Sequence, residues 1–293
     1  MIEFPTKTRR RSRRTAAWAC GLMAVLATFA TSAHAQQRPL VTEDPESIGA
    51  GRILLEAGFE WDQGVEFPAS GLKGDLLKLP TFGISFGISS IAELQIDTGY
   101  QMLSIDERYD APLSGVVKAG DSTSAVEDIV VGTKVRMMSE TGGRPSLGIR
   151  FATKLPNASN ESGLGLDTTD FMATLLVGKT VSSVRFVGNV GLGILGDPLQ
   201  GDKQNDVFLY GLSVARAFSE ATEIVCEVNG RAHTAGGEPP PGTESRSQVR
   251  VGGRYTRGPA RFDAAVILGL TSQDPSFGIA GGVTYVFNAF KVP

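Results

Sequence analysis

The stretch Ala92–Met102, AELQIDTGYQM, alternates strictly between polar and apolar residues, and this alternation decides the fold. Successive side chains of a β-strand point to opposite faces, so Glu93 and Asp97 share one face while Leu94 and Ile96 share the other. One face requires polar surroundings and the other requires apolar ones. The apolar face therefore meets either a protein core, as in a soluble sandwich or lipocalin, or lipid, as in an outer-membrane barrel.

The same period of two recurs in twelve windows along the chain. They lie near 52–61, 75–88, 92–105, 125–138, 144–155, 168–180, 184–195, 206–218, 222–233, 246–256, 260–271 and 276–288. Each window is about as long as a tilted membrane strand requires. Helical periodicity is weak throughout, and 36 glycines disfavour long helices. The sequence predicts an all-β protein with an antiparallel transmembrane β-barrel of about twelve strands.

The connections between these windows alternate in length. Long links are expected at 62–74, 106–124, 156–167, 196–205 and 234–245, and short ones at 89–91, 139–143, 181–183, 219–221 and 257–259. Only the last link, 272–275, is short where a long one is due. Short periplasmic turns and long outer loops are typical of outer-membrane barrels, and an even strand count returns both termini to the periplasmic side.

The amino-terminal end has the pattern of a cleaved signal peptide, predicted at residues 1–35. A basic run from Lys7 to Arg14 precedes a short apolar stretch and the site Ala33-His34-Ala35. A nucleic-acid patch is a weaker interpretation of the basic run. Cleavage would leave 22 basic and 30 acidic residues, a balance that argues against a nucleic-acid partner. The remaining chain is expected to form an N-terminal segment at 36–51 and a barrel at 52–290.

The sequence offers few residues that could bind a metal or form a disulfide. Beyond residue 35 the sequence has one cysteine, Cys226, and one histidine, His233. An intramolecular disulfide, a cysteine metal site and a multi-histidine centre are therefore excluded for the cleaved chain. We expect no metal and no cofactor. GLGILG at 191–196 has the spelling of a dinucleotide fingerprint, but no helix pattern follows it, so we interpret it as a glycine-rich strand end.

Alternation alone does not distinguish a membrane barrel from a soluble one, because a soluble barrel has the same pattern inside out. Glycines such as Gly83 and Gly252 fall on the polar parity, which suits a confined interior. Aromatic residues of the apolar parity fall toward the window ends, as in the two girdles of membrane barrels. The outer membrane is therefore the expected location, with its lipids and its assembly machinery as partners. A soluble β protein is the alternative.

The charged residues of the polar parity are the candidate lumen-lining residues. They are Glu56, Glu60, Glu93, Asp97, Asp128, Lys134, Arg136, Arg150, Lys154, Arg185, Glu223, Glu227, Arg231, Arg250, Arg254 and Asp263. Two interpretations remain open. The charges form either a ladder of salt bridges that fills the barrel or a charged constriction that orients permeating solutes. The N-terminal segment, with Glu43, Asp44 and Glu46, either folds inward as a small plug or tethers the barrel.

Two stretches carry a family resemblance. RPLVTEDPESIGAGRILLEAGFEW at 38–61 and LPTFGISFGISSIAELQIDTGYQ at 79–101 are similar to the exported barrel proteins grouped as the phenol-degradation meta-pathway family of outer-membrane transporters. The likeness rests mainly on residues 38–105. It implies a passive transporter of aromatic or apolar compounds, without a defined substrate.

Three functions follow from these patterns. The first is a passive transporter or narrow channel for small molecules, aromatic or apolar ones among them, and not an enzyme. The second is a structural or surface-interaction barrel with a closed lumen, whose long loops carry the function. The third is a hydrolase in which His233 activates Ser245 or Ser247, residues that the sequence places around the 234–245 link.

Overall fold

The computed structural model describes residues 38–291, so the predicted signal peptide lies outside the described residues. Within them the chain forms thirteen strands and one short 3₁₀ turn, Asn160–Ser162. The strands are β1 (Arg52–Phe67), β2 (Leu72–Gly87), β3 (Ala92–Arg108), β4 (Ser122–Val126), β5 (Ile129–Met138), β6 (Ser146–Leu155), β7 (Asp170–Val181), β8 (Val184–Gly196), β9 (Gln204–Ala217), β10 (Thr222–His233), β11 (Arg246–Arg257), β12 (Ala260–Gly269) and β13 (Phe277–Asn288).

The strands close into a single antiparallel ring. Apart from β4 and β5, neighbours in sequence pair with each other, and β13 pairs with β1 from Arg52↔Asn288 to Gln63↔Phe277. Both β4 and β5 pair with β3, at Tyr100–Ser104 and Ala92–Asp97 respectively, so they are two halves of one barrel strand. The barrel therefore has twelve strands, and the predicted fold class is confirmed. Within residues 38–291, no helix has the length and apolar character needed to cross a membrane.

Two predicted connections are wrong. The expected long link at 62–74 is mostly strand, because β1 continues to Phe67 and β2 begins at Leu72. This long hairpin is stabilised by a small apolar core in which Val65 and Leu72 pack with Leu103 and Leu164. The last connection spans 270–276 rather than 272–275, so it is longer than predicted.

The distribution of side chains is inverted relative to a soluble protein. On the outer surface, Phe151, Leu192 and Phe262 are 53%, 64% and 52% exposed. In the interior, Glu93 and Lys134 are only 1% and 4% exposed. A soluble barrel would bury the first group and hydrate the second. The apolar outer surface, together with closure of the sheet, is the arrangement of an outer-membrane barrel, and it places Leu94, Ile96 and Tyr100 toward lipid.

Val190 and Val181 form a matched pair for testing the lipid-facing surface. Both side chains are exposed, but Val190 lies in the middle of β8 and Val181 ends β7 beside a two-residue turn. We expect Val190→Arg to lower the free energy of unfolding by about 2–4 kcal/mol, and Val181→Arg by about 0–1 kcal/mol, because the cost of a lipid-facing cation falls with distance from the midplane. Urea unfolding in vesicles, followed by heat-modifiable gel migration, measures both values. Equal losses would contradict the assigned lipid surface.

Candidate functional site

The N-terminal segment, described from residue 38 to 51, lies inside the ring. At its start, Arg38 donates hydrogen bonds to the Thr81 hydroxyl of β2 at 2.8 Å and to the Gly281 carbonyl of β13 at 3.0 Å. Toward its end, Glu46 forms an ion pair with Arg136 of β5. Between these points Asp44 pairs with Arg185 of β8, which lies across the ring from β1, so the segment crosses the lumen.

Glu227 of β10 binds the backbone of this segment. Its two carboxylate oxygens accept the N–H groups of Val41 and Thr42, each at 2.8 Å. A Cβ atom at Gly211 of β9 would lie 2.9 Å from the Thr42 hydroxyl oxygen, so the absence of a side chain there allows the close approach. A buried carboxylate thus satisfies two backbone donors that have no strand partner.

Two further wall residues bind the segment in the same way. Asn189 of β8 accepts the Glu43 N–H at 2.7 Å and donates to the Glu43 carbonyl at 2.8 Å. Glu93 of β3 accepts the Ile48 N–H at 2.7 Å. Side chains of the barrel wall therefore replace the ladder hydrogen bonds that a strand would make.

The carboxylate of Glu43 lies between two basic residues of the wall. Its oxygens are 3.2 Å from Lys134 Nζ and 3.1 Å from Arg150 Nε. Lys134 also lies 3.0 Å from Glu93, so one buried lysine joins the segment to β3. Charges this deeply buried are tolerated only when they are paired with good geometry.

Arg185 of β8 makes a bidentate ion pair with Asp44. Its Nε and Nη2 atoms are each 2.8 Å from an Asp44 carboxylate oxygen. Its Nη1 atom contacts Glu140, in the turn between β5 and β6, at 2.5 Å. A fork of this kind fixes orientation as well as charge, so Arg185 positions the segment against β8.

A second cluster lies on the opposite wall. Arg250 of β11 is 2.7 Å from Glu60 of β1 and 3.8 Å from Glu227. Lys78 of β2 lies 3.6 Å from Glu60 and 3.4 Å from Glu127, in the break between β4 and β5. These contacts connect β1, β2, β11 and the broken strand across the interior.

Two acidic residues are close together beside Gly83 of β2. A Cβ atom there would lie 2.8 Å from Asp97 Oδ1 and 3.5 Å from Glu56 Oε2. Glu56 accepts a hydrogen bond from Thr284 at 3.0 Å, and Asp97 lies 3.9 Å from Arg150. The absence of a side chain at Gly83 leaves room for both carboxylates in these positions.

Apart from Arg231, which donates to the carbonyls of Gly242 and Glu244, the remaining candidates form two smaller groups. Near one end of β12, Arg254 and Arg261 lie 3.6 Å and 3.9 Å from Glu223, and Asp263 lies 3.7 Å from Arg38. In the other group, Lys154 of β6 bridges Asp128 at 3.3 Å and Asp170 at 2.8 Å.

Asp128 differs from the other candidates because it does not lie in a strand. It occupies the break between β4 and β5, and its Oδ1 accepts the N–H groups of Asn157 and Ala158, each at 2.8 Å. It therefore anchors the base of the loop that follows β6, while its other oxygen faces Lys154.

Several interior charged residues were not among the sequence candidates, including Arg38, Lys78, Arg246 and Arg261. Arg246 shares the parity of Arg250, and Arg261 that of Asp263, so alternation alone identifies both. A register shift between Lys78 and Thr81 reverses the parity along β2. Alternation therefore does not place Lys78 on the inner face. No periodic signal indicates Arg38.

The N-terminal segment borders two cavities. The first, of about 590 Å³, is lined by charged residues that include Glu56, Lys78 and Asp97. The second, of about 350 Å³, lies against β7 to β11. Val41 and Glu43 line both cavities, so the segment lies between them.

The residues of the hydrolase hypothesis do not form a nucleophile–base contact. His233 Nδ1 lies 2.7 Å from the side-chain oxygen of Asn205. The Ser245 hydroxyl accepts the backbone N–H of His233, and the Ser247 hydroxyl contacts the Asn229 carbonyl. Nucleophilic catalysis requires the imidazole to reach a hydroxyl, and this geometry gives that hypothesis no support.

Comparison with known proteins identifies the fold. No protein-family model matches the chain, and no curated protein matches it. Among solved structures it is similar to an outer-membrane channel from Pseudomonas putida, with a TM-score of 0.59 and 13% identity over 83% of this chain and 98% of that one. The translocator domain of the autotransporter NalP from Neisseria meningitidis gives 0.51 and 14% over 94% and 95%.

The Pseudomonas putida toluene transporter TodX is more distant. It has a TM-score of 0.39 and 10% identity over 89% of this chain and 99% of that one. At these identities the comparisons establish the barrel fold alone, and the TodX score is too low to support an argument.

Arg185 allows a test of how strongly the segment is bound. We expect Arg185→Gln to lower the free energy of unfolding by about 3–5 kcal/mol, because it leaves the carboxylate of Asp44 without its cation in the interior, whereas Glu140 keeps Lys179. Lys118→Gln, which breaks the exposed pair with Glu161, is the control and should cost less than about 1 kcal/mol. Urea unfolding measures both. A loss for Arg185→Gln as small as for the control would contradict tight docking.

Proposed function

We propose that this chain is a passive outer-membrane channel for small molecules and that its N-terminal segment is the plug. The observation that carries the proposal is the division of a closed ring into two cavities by a segment that the wall holds through side chains. A barrel of twelve strands lies between the small barrels that side chains fill and the large barrels that leave a channel. Whether a barrel of this size leaves a passage for solutes therefore depends on what occupies its interior.

The way in which the segment is held makes it a displaceable plug. Residues 38–50 belong to none of the strand ladders in the described part of the chain. Two small apolar contacts hold them, of Leu40 with Ala215 and Val225 and of Ile48 with Leu54 and Val286. Their other contacts are ion pairs and hydrogen bonds to side chains, which water and dissolved ions replace when the segment moves. Removing a barrel strand would instead expose unpaired backbone groups to lipid, and each such group costs roughly several kcal/mol.

Two further observations support transport. The similar solved barrel from Pseudomonas putida is described as an outer-membrane channel, and we extend that role to this chain. The resemblance of residues 38–105 to the phenol-degradation meta-pathway family adds aromatic compounds to the candidate solutes. The competing function is a closed structural barrel, which the extent of the ion-pair network favours.

A disulfide between Thr42 and Gly211 provides the test. A Cβ atom at Gly211 lies 3.5 Å from the Thr42 Cβ, within the range of about 3.5–4.5 Å for disulfide-linked residues. The variant Thr42→Cys/Gly211→Cys, in a Cys226→Ser background, locks the segment to β9 when oxidised. We expect low conductance in planar bilayers when it is oxidised and higher conductance after reduction. The Cys226→Ser protein alone, with and without reductant, is the control.

The possible outcomes separate the plug from the channel. Equal conductance in the oxidised and reduced states would contradict the role of the segment as a plug, but it would still support a channel. A reduced protein that folds and inserts but passes neither ions nor small aromatic solutes into liposomes would contradict transport altogether. That result would favour the closed structural barrel.

A further inference from the structure

Two arginines lie directly opposite each other on the inner face of the barrel. In the pairing of β10 with β11, Arg231 is in register with Arg246. Like charges at directly opposite positions of an antiparallel pair repel each other. The repulsion is greater in a confined lumen than at a hydrated surface, because the effective dielectric constant is lower.

The hydrogen bonds of this pair fix its position without neutralising it. Arg231 donates to the backbone carbonyls of Glu244 and Gly242, each at 2.8 Å. Arg246 donates to the carbonyls of Gln273 and Glu66, also at 2.8 Å each. All four acceptors are neutral, so both guanidinium groups keep their full charge.

The nearby carboxylates only partly compensate the pair. Asp274 Oδ1 is 3.9 Å from Arg246, at the limit of an ion pair, while its Oδ2 accepts the Ser247 N–H and the Thr271 hydroxyl. Glu244 accepts the Gly242 N–H rather than pairing with Arg231. Among residues 38–291, no carboxylate lies within 4 Å of the Arg231 guanidinium, so no direct ion pair neutralises Arg231.

The pair faces the second cavity. This space of about 350 Å³ is in the size range of small-molecule sites, which begin at about 300 Å³. Its lining includes both arginines together with Arg150, against the two carboxylates of Glu43 and Asp274, so its basic residues outnumber its acidic ones. It also includes the amide side chains of Asn229 and Gln248 and apolar side chains. The apolar members are Val41 of the N-terminal segment, Met172 of β7 and Leu209 of β9. The lining thus offers positive charge, amide hydrogen-bonding groups and an apolar surface.

We infer that this cavity binds a small organic anion, a carboxylate carried on an apolar or aromatic body, beside Arg231 and Arg246. The carboxylate accepts hydrogen bonds from the guanidinium groups and relieves their repulsion. The body lies against Val41, Met172 and Leu209. The site deepens the proposed function, on which it rests, by naming the solute class. A neutral aromatic compound without a carboxylate makes no charge-assisted hydrogen bond to the arginine pair.

Binding of fluorobenzoate to the intact protein in detergent, followed by fluorine NMR, tests the inference. Fluorobenzyl alcohol, which lacks the charge, controls for partition into detergent. We expect saturable line broadening with fluorobenzoate alone, weakened about tenfold or more in Arg231→Gln and Arg246→Gln through loss of a charge-assisted hydrogen bond. Arg108→Gln is the matched control, because exposed Arg108 also donates to two backbone carbonyls, those of Lys118 and Gly120.

Equal affinity for fluorobenzoate in all three variants, or equal broadening by the alcohol in the wild-type protein, would overturn the inference. The wild-type comparison decides the need for negative charge even if a glutamine variant does not fold. Saturable binding of fluorobenzoate without conductance would support the binding site and contradict the channel. Conductance without fluorobenzoate binding would support the channel and contradict the binding site.

Discussion

Ion pairing between the wall and the N-terminal segment is the interaction on which the lumen depends. Four basic residues of β5, β6 and β8 form a basic arc: Lys134, Arg136, Arg150 and Arg185. Three acidic residues of the segment, Glu43, Asp44 and Glu46, contact this arc. Without the segment, Arg136 would lose its carboxylate partner, and Lys134, Arg150 and Arg185 would each lose one of two, at a cost that grows as the local dielectric constant falls. The path of the segment is therefore set by charge.

The same constraint explains why the interior is a network rather than a core. Two wall carboxylates have a second role besides pairing: Glu227 binds two backbone N–H groups, and Glu93 binds one while also contacting Lys134. Buried carboxylates tolerate their desolvation when several donors surround them. The segment thus contributes both charge and backbone donors to the wall, and the two cavities are the spaces that this packing leaves.

The strands were readable from the sequence because period-two alternation reports directly on the two environments of a membrane barrel. The window at 184–195 corresponds to β8 at Val184–Gly196, and that at 222–233 to β10 at Thr222–His233. Alternation is lost where the backbone is irregular. The shift at Lys78 and Thr81 hides a lumen lysine, and the break at Glu127 and Asp128 removes a predicted lining residue from its strand. The path of residues 38–51 has no periodic signal, because side chains rather than a ladder hold it.

Native-state hydrogen exchange tests most directly whether the N-terminal segment is docked in the lumen. It is measured at the backbone amides of Val41, Thr42, Glu43 and Ile48, in the folded protein in detergent micelles. If wall side chains bind these amides inside the lumen, all four exchange far more slowly than amides of the exposed link at 109–121 and lose protection together when Arg185 is replaced by Gln. Exchange as fast as in that link would contradict the docked segment and with it the arrangement of the interior.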